Sequence, residues 1–91
     1  MKISKTKKDK ISEQILAYLY SVSPQSIFTS YIAREIARDE EFVKEILLNL
    51  KRKKMVIEIK KNPTGIDYLR RSRWRLSSEV YDIYNKKQFI I

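Results

Sequence analysis

The sequence predicts an α+β domain of three helices, a short strand, a two-stranded β-hairpin and a fourth, C-terminal helix. Two patterns and one turn predict it. Apolar residues recur with a 3.6-residue period in the early segments, as on the buried stripe of a helix. Two later segments alternate polar with apolar residues, and between them stands Asn62-Pro63-Thr64-Gly65, a turn with its residues in their preferred places. With 91 residues, 43% of them hydrophobic, the chain has room for a single domain over 1–91 around one core.

Residues 1–6 read as a basic N-terminal arm, and Thr6-Lys7-Lys8-Asp9 as a near capping box, a hydroxyl with a carboxylate three residues on. The first helix then carries Ile11, Ile15, Leu16, Tyr18, Leu19 and Val22, and Pro24 stops it. Ile27-Phe28 is long enough for one rung of a strand. Thr29 or Ser30 caps a second helix with Tyr31, Ile32, Ala33, Ile36 and Ala37. Asp39 caps the third. Glu40 and Glu41 follow in its first turn, where the positive helix end favours carboxylates, and Val43, Ile46, Leu47 and Leu50 form its stripe. Lys51 to Lys54 close it with four cations at the negative end. The short gap between the second and third helices is that of a helix-turn-helix.

Met55 to Ile59 is rich in β-branched residues, with Val56, Glu58 and Lys60 on one side of the alternation and Ile57 and Ile59 on the other. Arg71 to Leu76 turns Trp74 and Leu76 inward and Arg73 and Arg75 outward, so the hairpin tip spans 61–70. Ser77 or Ser78 caps a last helix with Val80, Tyr81, Ile83 and Tyr84. The segment 78–91 ends on the apolar tail Phe89-Ile90-Ile91.

Composition excludes most enzyme chemistry. The chain has no Cys and no His, which removes disulfides, Cys/His zinc sites and histidine-assisted nucleophiles. One glycine leaves no glycine-rich phosphate loop. Glu58-Ile59-Lys60 matches the Glu-x-Lys triplet of some metal-dependent nucleases, yet such triplets arise constantly by chance and those folds need a larger sheet. The expectation is a non-enzymatic protein without cofactor or metal. No apolar run approaches the length of a membrane span, and the absence of Cys suits a reducing cytoplasm.

The net charge of +9 is unevenly spread. Residues 1–10 carry +4, residues 11–50 carry −3, residues 51–75 carry ten bases against two acids for +8, and residues 76–91 balance. A block this basic attracts a polyanion, with nucleic acid first among the candidates.

The order of elements resembles the winged helix-turn-helix family. The resemblance sharpens at Ile32-Ala33-Arg34-Glu35-Ile36-Ala37, which runs without a gap into Val43, Ile46/Leu47, Leu50 and Lys53-Lys54-Met55-Val56. Trp74-Arg75-Leu76-Ser77 is similar to the aromatic-Arg-Leu-Ser/Thr run that ends the second wing strand in many bacterial and archaeal regulators. The composition, rich in Lys, Ile and Tyr, resembles that of small proteins from thermophilic archaea and their viruses. The family implies a transcriptional regulator that binds double-stranded DNA, with the third helix in the major groove and the hairpin, or wing, along the backbone or in the minor groove. Carried over by position, the third helix presents Lys44, Leu48, Lys51 and Arg52. The wing presents Lys60, Lys61, Arg70, Arg71 and Arg73. Ser30 and Tyr31 at the start of the second helix donate to a phosphate, unless Tyr31 is spent on core packing.

One departure from the family pattern is the acidic character of the third helix. Glu41 and Glu45 either accept from a cytosine amino group or pair with neighbouring bases such as Lys44. The alternative reading for the whole chain is a protein–protein interaction module within a larger nucleic-acid-processing assembly. Tyr81, Tyr84, Phe89, Ile90 and Ile91 predict a homodimer with the first helix, against the simpler reading in which the tail folds back over its own core.

Overall fold

The computed structural model describes residues 5–61, 64–65 and 71–89, the last two of these without their side chains. Seven elements follow one another: α1 (Lys5–Val22), β1 (Ile27–Phe28), α2 (Thr29–Glu35), α3 (Glu40–Arg52), β2 (Val56–Ile59), β3 (Arg73–Leu76) and α4 (Ser78–Phe89). This is the expected α+β order. Helices α1 to α3 pack around a core closed on one side by a three-stranded antiparallel sheet.

Helix α1 buries Ile11, Ile15, Leu16 and Leu19, the spacing expected of one stripe. It already includes Lys5 and Thr6, so Thr6 lies within the first turn and is not the cap. The arm drawn at 1–6 therefore gives up its last two residues to the helix; residues 1–4 lie outside those described. The helix ends at Val22, just before a cis peptide joining Ser23 to Pro24.

The caps of the next two helices differ. Asp39 caps α3 as expected, its carboxylate accepting from the backbone N–H of Phe42 at 3.2 Å. Helix α2 begins one residue earlier than a Thr29 cap requires and two earlier than a Ser30 cap: Phe28 is its N-cap and no side chain bonds there. Thr29 is committed elsewhere. Its buried hydroxyl accepts from the indole N–H of Trp74 at 2.8 Å and donates to the Ser72 carbonyl at 3.4 Å.

Helix α2 also ends earlier than the apolar pattern suggests. Ala37 takes a left-handed conformation, φ 56°, and the N–H of Arg38 returns to the carbonyl of Ala33 at 2.9 Å. The end of α3 repeats the device. Lys54 has φ 61° and the N–H of Met55 bonds the carbonyl of Leu50 at 3.0 Å. Both closures are Schellman turns, in which the residue after the cap is commonly glycine. The chain places Ala and Lys there instead.

Strand β3 is central: the sheet order is β1-β3-β2. Trp74 lies opposite Ile27 on one side and Glu58 on the other, while Leu76 faces Val56. Trp74 and Leu76 are fully buried as predicted, and Trp74 is the largest side chain of the core. The register turns the Val56–Glu58 side of β2 inward and leaves Ile57 partly exposed. At the far end, Ser77 caps α4 by accepting from the N–H of Val80 at 3.3 Å. Tyr20 of α1 stacks against Tyr84 and tilts against Tyr81, with ring centroids 5.4 and 5.5 Å apart, so these two tyrosines pack on their own chain. Burial, with help from Glu13, pushes the Tyr84 phenol above its usual range. The Phe89 side chain, Ile90 and Ile91 lie outside the described residues.

Candidate nucleic-acid interface

A groove of about 1000 Å³ runs between the start of α2, the outer face of α3 and the wing, where β2 and the segment ahead of β3 line it. The fold builds it simply. The core stripe of α3 faces inward, so the opposite face, with Lys44 and Lys51, turns outward beside the hairpin. The antiparallel register then brings Lys60, at the end of β2, and Arg71, ahead of β3, to the same opening.

Seven of the residues expected to contact DNA line this groove. Ser30 and Tyr31 stand on the α2 side, Lys44, Leu48 and Lys51 on α3, and Lys60 and Arg71 on the wing. Arg73 lies just beyond, its guanidinium over the Phe28 ring at 5.4 Å, with that of Arg71 over the same ring at 5.6 Å. Arg52 and Lys61 are exposed but do not line the groove. Arg70, with much of the 61–70 tip, lies outside the described residues.

Sequence reasoning did not assign Phe28, Arg34, Glu58 or Ser72 to the interface, and all four lie on the groove wall. Phe28 holds two wing cations against its face and contacts Tyr31, whose own ring carries Arg34 at 5.5 Å. The spacing of Tyr31 and Arg34 on one helix was a usable signal; the pairing of Phe28 with Arg73 depends on sheet register. Tyr31 is 53% exposed, so its ring lies outside the core.

The groove is positive on balance. Arg34, Lys44, Lys51, Lys60 and Arg71 oppose Glu40, Glu41 and Glu58. Across the ridge formed by Glu41, Lys44 and Leu48, a smaller hollow of about 560 Å³ is lined by Asp39, Phe42 and Glu45. Neither Glu41 nor Glu45 makes a salt bridge with Lys44; both salt bridges among the described residues end on Glu58. Burial raises the Glu58 carboxyl, but hydrogen bonds from Lys51 and Ser72 and the charges of Lys51 and Lys60 more than offset it, so Glu58 titrates below its ordinary value. The described residues contain no cluster of metal-ligating side chains and no helix long and apolar enough to cross a membrane.

No family model matches the chain, and no curated protein does. Solved structures do. MepR of Staphylococcus aureus, crystallised with DNA, superposes with a TM-score of 0.73 at 22% identity over 93% of this chain and 67% of MepR. A second MepR structure, described as a transcription regulator of the multidrug efflux pump MepA, gives 0.68 at 23% identity over 94% of this chain and 66% of that one. A protein from Archaeoglobus fulgidus gives 0.67 at 20% identity, covering 89% of this chain and 84% of its own. A variant of ZitR from Lactococcus lactis gives 0.69 at 16%, covering 98% and 56%. The chain thus spans about two thirds of the length of MepR and less of ZitR. At these identities the likeness establishes the fold, a winged helix.

Proposed function

We propose that the protein binds double-stranded DNA as a non-enzymatic transcriptional regulator. The observation that carries this reading is the groove itself, where cations from α2, α3 and the wing converge around the exposed ridge of α3. In this reading Lys44 and Leu48 enter the major groove, with Arg52 at the helix end, and Ser30 and Tyr31 donate to one backbone strand. Lys60, Lys61, Arg70, Arg71 and Arg73 follow the other backbone or the adjoining minor groove. The likeness to a regulator solved on DNA supports the arrangement. A DNA-binding role places the protein in the cytoplasm with the nucleoid, or in a host cytoplasm for a viral chain.

We further propose a two-fold homodimer through α1 and α4. Tyr81 and Tyr84 are partly used by Tyr20, but Ile83 beside them remains 54% exposed, and Phe89, Ile90 and Ile91 continue the apolar character. A dimer presents two third helices to half-sites about one helical turn apart.

Anisotropy titrations of a labelled duplex at increasing salt test the reading. Contacts with about four to six phosphates give a slope of log K against log[salt] of roughly −4 to −5. Absence of binding to any duplex at low salt overturns it. The acidic hollow beside Glu41 and Glu45 favours the second reading, a protein–protein module, in that event.

A further inference from the structure

Among the described residues, Glu58 is the acid that the basic wing encloses. Its side chain is only 5% exposed although it borders the groove, because it occupies the inward side of β2 opposite Trp74. Three groups from three parts of the fold meet its carboxylate. Lys51 of α3 donates through Nζ at 2.8 Å, Ser72 donates through its hydroxyl to the other oxygen, and Nζ of Lys60 stands at 4.0 Å.

The two lysines are not equivalent. Lys60 is beyond hydrogen-bond distance and its side chain is 65% exposed, so it swings away at little cost. Lys51 is directly bonded, and its partner is desolvated. Without Lys51 the largely buried carboxylate keeps only the Ser72 hydroxyl and the longer contact of Lys60, a weaker compensation than water and counterions give a phosphate on the DNA surface. The exchange of Glu58 for phosphate is therefore unfavourable to Lys51.

We propose that Glu58 withholds Lys51 from the DNA backbone and holds it as a strut between α3 and the wing, so that this lysine, although on the contact face, neutralises no phosphate. Lys51 and Glu58 are then positioning residues that fix the wing relative to the third helix. The proposal rests on the DNA-binding reading above.

The test is the salt dependence of duplex binding for the full chain, Lys51→Met, Glu58→Gln and the double variant. Lys51→Met leaves the slope of log K against log[salt] within about 0.2 of the parent. Glu58→Gln keeps an acceptor for Ser72 while removing the charge that retains Lys51, and steepens the slope by about 0.9, one further phosphate. The double variant returns to the parental slope. Thermal unfolding checks that each variant folds; if Lys51→Met does not, Glu58→Gln decides alone. A slope shallower by about 0.9 in Lys51→Met, or an unchanged slope in Glu58→Gln, overturns the proposal while the parent still binds. A parent that binds no duplex at low salt instead removes the DNA reading, and this proposal with it.

Discussion

The indole N–H of Trp74 donates to the hydroxyl of Thr29 across 2.8 Å, within the buried interior and 45 residues apart in sequence. Because the hydroxyl and the backbone N–H of Thr29 both donate to the Ser72 carbonyl, the start of α2 is tied to the wing by three hydrogen bonds. Thr29→Val removes the acceptor and leaves the Trp74 N–H buried without a partner. It costs about 1–3 kcal/mol in urea unfolding, while Thr29→Ser, which keeps the hydroxyl, recovers most of the loss.

Ala37 and Lys54 close their helices in the left-handed region, where a Cβ is unfavourable. Ala37→Gly relieves that strain at an exposed position. The expected result is a gain of about 1 kcal/mol, reduced somewhat by the greater freedom of glycine in the unfolded chain, and read as a higher urea midpoint.

Glu58 links stability to acid. Its folded pKa lies below the ordinary 4.5, so its contribution is fully present above that value and is lost as pH falls through the lower folded value. Unfolding followed from pH 6 downward is therefore expected to show a steeper acid limb in the parent than in Glu58→Gln. Equal acid limbs would assign the acid sensitivity to other carboxylates.

The fold was legible where its causes are local. Asp39 announces its cap because the N–H it binds is three residues away, and the α3 stripe is visible in its own spacing. The early end of α2 was hidden because Ala37 carries none of the usual signal of a glycine. Thr29 read as a cap because its real partner is a distant tryptophan. The candidate site was legible as a block of charge and as family positions, which located seven groove residues. Alternation separated Glu58 from Ile57 but did not say which side faces the core; that is decided by pairing with Trp74. A basic segment likewise does not reveal that one of its lysines already has an acid.

The wing outweighs the acidic face of α3 in the proposed contact. Neutralising Arg70, Arg71 and Arg73 to Gln weakens duplex binding more than about tenfold and makes the salt slope shallower by roughly 2.7 if each meets one phosphate. Glu41→Gln and Glu45→Gln change affinity less. The reverse ranking in the same anisotropy assay would move the contact surface from the wing to the acidic hollow.

The sheet order β1-β3-β2 has a consequence for synthesis. Strand β1 leaves the ribosome before its partners, Arg73 and Trp74, which follow only after α2, α3 and β2. Until they emerge, Ile27 and Phe28 have no strand beside them and Thr29 has no indole to receive. The helical part can gather around local contacts during translation, but the sheet and the groove it frames are completed together, in one late step set by the arrival of a single tryptophan.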